Sequence, residues 1–223
     1  MKSVKVLLLF IGLSLLLTEV VAQETVSKPK GPAPIPVELF FGNNRLVSTV
    51  SVNRKFTGSD RFGIIASSTT AFSYSNELSD NESMNVLFLS YNINKGFGLL
   101  AGFGLNSSWG FRPFAGGSYS YGSKSVVIAL SSGFYLTESN NFESKVVLQY
   151  TPQIKESWSL YSRFEGLYNQ DINTNKHDRG VLYGRLGVNY KSVAFGLAAN
   201  LDWYGPNKFF RENFGVFVRY SFK

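Results

Sequence analysis

The 223-residue chain has no cysteine, only two methionines and a single histidine, His177. Without cysteine there can be neither a disulfide framework nor a thiolate metal site. One histidine and no loop with calcium-type aspartate spacing leave too few ligands for a metal centre, so no cofactor is expected. The chain also lacks an apolar run long enough to cross a bilayer as a helix. Val6 to Leu17 is the longest, and it falls short of the roughly 20 residues required. Nor is there a cluster of basic residues. The formal charge of +7 is scattered, which argues against nucleic-acid binding and for attraction to anionic head groups or solutes.

The amino terminus, MKSVKVLLLFIGLSLLLTEVVAQ, has the layout of an export leader. Lys2 and Lys5 form the positive region, Val6 to Leu17 the apolar region, and Val20-Val21-Ala22 the small residues of a cleavage site. Residues 1–22 are therefore expected to be removed before Gln23. Lys2, Lys5 and Glu19 leave with the leader, which takes the mature charge to +6. No cysteine follows to accept a lipid. Residues 23–36, ending ETVSKPKGPAPIP, are rich in proline and poor in apolar side chains, and read as an extended periplasmic arm. The third region, residues 37–223, has a different pattern.

That region holds most of the 20 Phe, 12 Tyr, 3 Trp and 21 Gly, a load that suits half-buried strands. Its apolar residues recur with a period of two. Val193, Phe195, Leu197, Ala199, Leu201 and Trp203 oppose Ala194, Gly196, Ala198, Asn200 and Asp202. Phe97, Leu99, Ala101, Phe103 and Leu105 oppose Gly98, Gly102, Gly104 and Asn106. The glycines of that strand lack the lysine and helix of a phosphate-binding loop and read as small inward residues. The last stretch, NFGVFVRYSFK, places Phe214, Val216, Val218, Tyr220 and Phe222 on one face. With a short first strand at Val37–Phe41 included, there are twelve such segments, and ten is the alternative through one false pair. Short turns, such as Lys95-Gly96 and Gly122-Ser123, interleave with longer polar connections, such as residues 76–83, 170–179 and 205–212.

A secreted β-sandwich would also alternate, but with charged residues on its outer face. Here the mixed face is Gly, Ser, Ala, Asn and occasional charge, and the apolar face ends in aromatics, as a lipid-facing band does. The expected fold is all-β: a closed antiparallel up-and-down transmembrane barrel.

With its leader, alternating segments and terminal Tyr-x-Phe, the chain resembles a Gram-negative outer-membrane β-barrel of the small porin-like class. The resemblance implies outer-membrane lipid as surroundings and the barrel-assembly machinery as a partner during biogenesis. That machinery would read the closing strand Phe214, Val216, Val218, Tyr220 and Phe222, although Lys223 follows the last aromatic. Twelve-stranded members of the class include small-solute channels and a phospholipase, and no motif chooses between them.

If the apolar face is outward, the inward charges include Arg112, Glu143, Lys145, Arg163, Glu165, Arg185, Asp202 and Arg219. Arg219 is expected to reach Asp202 across neighbouring strands. These charges read either as a salt-bridge ladder that fills the barrel or as the lining of a narrow pore for small polar or anionic solutes. No enzyme is expected. His177 is placed in a loop away from any strand serine, and the Glu143–Glu165 pair has Lys145 and Arg163 beside it. The alternative to a channel is a closed barrel whose external loops bind a partner.

Overall fold

The computed structural model describes residues 33–223; the leader and residues 23–32 of the proline-rich arm lie outside them. The strands are β1 (Ile35–Gly42), β2 (Arg45–Lys55), β3 (Phe62–Ser73), β4 (Glu82–Asn94), β5 (Phe97–Asn106), β6 (Gly110–Gly122) and β7 (Val126–Tyr135). They continue as β8 (Asn141–Tyr150), the short β9 (Gln153–Lys155), β10 (Trp158–Asp171), β11 (Lys176–Tyr190), β12 (Val193–Tyr204) and β13 (Phe209–Phe222). A 3-10 turn at Leu78–Asp80 lies between β3 and β4.

Each strand pairs antiparallel with the next, except that β8 pairs with β10, and β1 pairs with β13, so the sheet closes on itself. Strand β9 only flanks the start of β10. The ring therefore has twelve staves, as the alternation predicts. Closure removes every edge whose amides would otherwise face lipid unpaired. The closing seam is long: Ile35 lies opposite Phe222, Glu38 opposite Arg219 and Gly42 opposite Gly215. Strand β1 starts two residues before the expected Val37, so Ile35 and Pro36 belong to the ladder rather than to the arm. Pro36 is tolerated because it stands at the start of the strand, where β13 pairs with it but the pairing with β2 has not begun.

The expected apolar face points outward. Leu99, Leu105, Leu130, Leu148, Leu186 and Leu197 are all exposed, as are Phe214, Val216, Val218, Tyr220 and Phe222 of the closing strand. Aromatic pairs mark both rims. At the end that carries the described termini they include Phe62–Tyr91, Phe97–Tyr119 and Trp158–Tyr190, with centroids 4.8–4.9 Å apart. At the far end they include Phe103–Phe111 and Trp203–Phe210. Two aromatic belts around an apolar band are what a lipid-spanning wall requires.

Two expectations about the connections are corrected. The loops anticipated at 170–179 and 205–212 shrink to 172–175 and 205–208, because β11 and β13 begin earlier. Charges at a strand end do not stop a ladder when the inner face supplies partners for them, as it does for Arg179 and Arg211. Strict interleaving of short and long connections also fails. At the terminal end 56–61 and 151–157 are longer than 43–44 at the far end. The tight turn at Lys95-Gly96 is as expected: both residues take positive φ, 47° and 87°, which matches the twist of the strands it joins.

Candidate functional site: the lumen

The inner face is built from the residues that alternate with the lipid-facing ones, and it is divided in a way the composition does not announce. Apolar side chains gather there in two clusters. Phe40, Val47, Ala71, Tyr161, Ala194, Ala198 and Phe217 form one; Phe88, Leu100, Phe114 and Tyr135, with Ile65, Met84, Val86 and Trp109 against them, form the other. The polar, glycine-rich lumen expected from the sequence is thus only part of the wall. Gly104 makes room for the second cluster: a Cβ there would meet Trp109 and Tyr135 at 3.0 Å.

The charges fall into three groups. At the far end, Asp202 is 1% exposed and accepts hydrogen bonds from Arg45 Nη2 (3.0 Å), Arg179 Nη2 (2.8 Å) and Tyr183 Oη (2.7 Å). Glu82 accepts from Tyr204 Oη at 2.6 Å and pairs with Arg45 and Arg179. The Arg179 guanidinium lies 3.7 Å over the Tyr204 ring. This tie crosses from β11 and β12 to β2 and β4, bracing an arc of the ring. On the β8–β10 side, Glu165 pairs with Lys145 (2.6 Å) and Arg163 (2.9 Å). Glu143 accepts from Asn169 and Tyr135, and Arg112 donates to Asn141 and approaches Asp178 at 3.7 Å.

In the middle, Glu38 lies between Arg185 (2.8 Å) and Arg219 (3.4 Å). Arg185 also donates to Asn200 and stacks over Phe40 at 4.8 Å. Arg163 and Arg185 are directly opposed on β10 and β11, and each is compensated by a different carboxylate, which keeps the two like charges side by side.

All eight inward charges named from the sequence take part in these groups, but one pairing is corrected. Arg219 reaches Glu38 instead of Asp202, because β1 inserts at the seam and places Glu38 directly opposite it. Sequence reasoning missed Glu38, Arg45, Glu82, Arg179 and Tyr204. Extending each alternation by two residues would have found several of them, since Arg45 precedes Val47, Glu82 precedes Met84 and Arg179 precedes Val181 on the inner face. His177 is also corrected. It lies in β11, half-buried, with Nδ1 2.8 Å from the Gly205 carbonyl and its ring edge-on to Tyr168.

Two cavities enter the lumen. The one at the terminal end, about 1190 Å³, is lined by Lys124, Lys155, Lys191, Arg219 and Lys223 against a single acid, Glu156. The one at the far end, about 460 Å³, is lined by Arg45, Lys145, Arg179 and Arg211 and by an equal number of acids, Glu82, Glu143, Glu165 and Asp178. The two share no lining residue. Between them lies a throat made of Phe40 (0% exposed), Phe217 (1%) and Tyr161 (2%) with the Arg185–Glu38–Arg219 chain. Tyr161 and Phe217 pack at 5.5 Å, and the Tyr161 hydroxyl has no hydrogen-bond partner among the described residues.

No protein-family model matches the chain, and no curated protein does. Among solved structures, the fold is similar to that of a protein described as KdgM porin. The two share 16% identity over 85% of this chain and 99% of that one, with a TM-score of 0.48. The NanC porin is 12% identical over 86% of this chain and 99% of that one, also with a TM-score of 0.48. OmpT, an outer membrane protein of Vibrio cholerae, is 13% identical over 89% of this chain and all of that one, with a TM-score of 0.37. By its own geometry, a closed ring with an apolar exterior between aromatic belts and a charged interior, the chain is a β-barrel of the outer-membrane type.

Proposed function

We propose that this protein is a narrow passive channel of the outer membrane for small polar or anionic solutes. The observation that carries the reading is the cationic cavity at the terminal end, where five basic side chains face one acid. A concave wall with one sign of charge concentrates the opposite ion, and its low-dielectric surroundings strengthen the field. With the termini in the periplasm, as an even strand number favours, that cavity is the periplasmic mouth and the neutral one is the external mouth. The leader delivers the chain for export, and the barrel-assembly machinery inserts it by its closing strand.

Planar-bilayer recording on the purified barrel in a KCl gradient tests the reading. Anion preference is expected, reduced when Lys124, Lys191 and Lys223 are all changed to Gln. An absence of conductance at every voltage would sink it.

The throat favours a second reading, a closed barrel whose external loops bind a partner, since Phe40 and Phe217 separate the two cavities. Deleting residues 74–81 or 172–175 would then abolish binding and leave permeability unchanged.

A further inference from the structure

We propose that the far-end cavity is a binding site for an aromatic zwitterion of amino-acid or dipeptide size. Its volume, about 460 Å³, lies within the roughly 300–1,000 Å³ of small-molecule sites. Its walls differ in kind. One side is apolar and partly aromatic, with Met84, Val86, Phe88, Trp109 and Phe114; Phe88 and Phe114 stack on each other at 4.7 Å and form a rigid backing, and Trp109 is the more accessible ring. Leu100, Tyr135 and Ile65 of that cluster do not reach the cavity. Met84, Val86 and Trp109 are only half-buried, and apolar surface of that kind facing the cavity costs free energy unless an apolar face covers it.

The opposite wall is charged and balanced, four bases against four acids. At the mouth Arg211 contacts Glu82 of the same wall at 3.9 Å and, just outside the lining, Asp80 at 3.1 Å, with Arg211 and Asp80 both 35% exposed. A ligand carrying both a carboxylate and an ammonium can exchange with that pair without bringing net charge into the lumen. A bare anion or a bare cation would leave one protein charge uncompensated. The throat supplies the floor, so a ligand entering from the far end stops against Val47 and Ala71 of the first apolar cluster. Ring stacking on one side and ion-pair exchange on the other together select an aromatic zwitterion.

The site has its own reporter. Of the three tryptophans only Trp109 lines this cavity, so a Trp158→Phe, Trp203→Phe barrel in detergent reports on it by fluorescence. The ligand is L-phenylalanine, compared with alanine, phenylacetate and phenethylamine. Heat-modifiable migration confirms that each variant is folded. A saturable change with phenylalanine is expected, with the other three at least about tenfold weaker. The double variant Arg211→Gln, Asp80→Asn should weaken phenylalanine by about tenfold while preserving net charge. The proposal is overturned if phenylalanine gives no saturable signal by fluorescence or calorimetry, or if phenylacetate or phenethylamine binds as well. Binding and conductance are separate readouts, so failure of the channel reading leaves this one standing, and the reverse also holds.

Discussion

Glu38 is 5% exposed and holds two arginines, one of which, Arg185, is itself 8% exposed. Removing one partner of a buried ion group costs far more than the group contributes when intact, because the remaining charges cannot regain water. Glu38→Gln is therefore expected to destabilise the barrel by about 3–5 kcal/mol, read as a lower urea midpoint for unfolding from lipid vesicles. A second residue works by hydrogen bonds alone. The Asn213 side chain accepts from the Asn44 and Arg45 amides and donates to the Arg45 carbonyl, tying β13 to the β1–β2 hairpin. It fits because residue 42 is glycine: a Cβ there would lie 2.1 Å from the Asn213 amide oxygen. Asn213→Ala leaves buried backbone groups unpaired and should cost about 1–3 kcal/mol in the same unfolding measurement. At this scale the sequence named eight inward charges but missed Glu38, the partner of two of them. Arg219 finds Glu38 across 181 positions of chain, and no local pattern encodes that distance.

Strand β1 is the shortest stave of the ring, yet it closes it. A chain lacking residues 33–42 would present β2 and β13 as bare edges, which lipid does not tolerate. Loss of heat-modifiable migration in detergent gels is the expected result; a truncated barrel that still shifts on heating would contradict the closing role. Staves in the middle of the chain were the most legible. For β5 the expected and observed limits coincide at Phe97 and Asn106, because alternation is clean and a tight turn bounds it. Limits at β11 and β13 were less legible. Charged residues fall among the first four positions of each, and only the inner wall shows that Arg179 and Arg211 have partners waiting.

For the whole molecule, the decisive feature is the throat. Phe40→Ala together with Phe217→Ala would join the two cavities, so single-channel conductance should rise severalfold over the unaltered barrel, with the rim charges untouched. Unchanged conductance would place the constriction elsewhere. The period-two pattern, the aromatic strand ends and the turn residues by themselves determined a closed β-barrel and which residues face lipid, since each of these is a local property carried by neighbours two to ten positions apart. Only the tertiary structure decided how the lumen is divided. Phe40 from β1, Tyr161 from β10 and Phe217 from β13 meet in one layer because closure brings distant staves across a narrow ring. Whether an inward aromatic fills, lines or blocks depends on what stands opposite, and what stands opposite is set by the number of staves and by the seam.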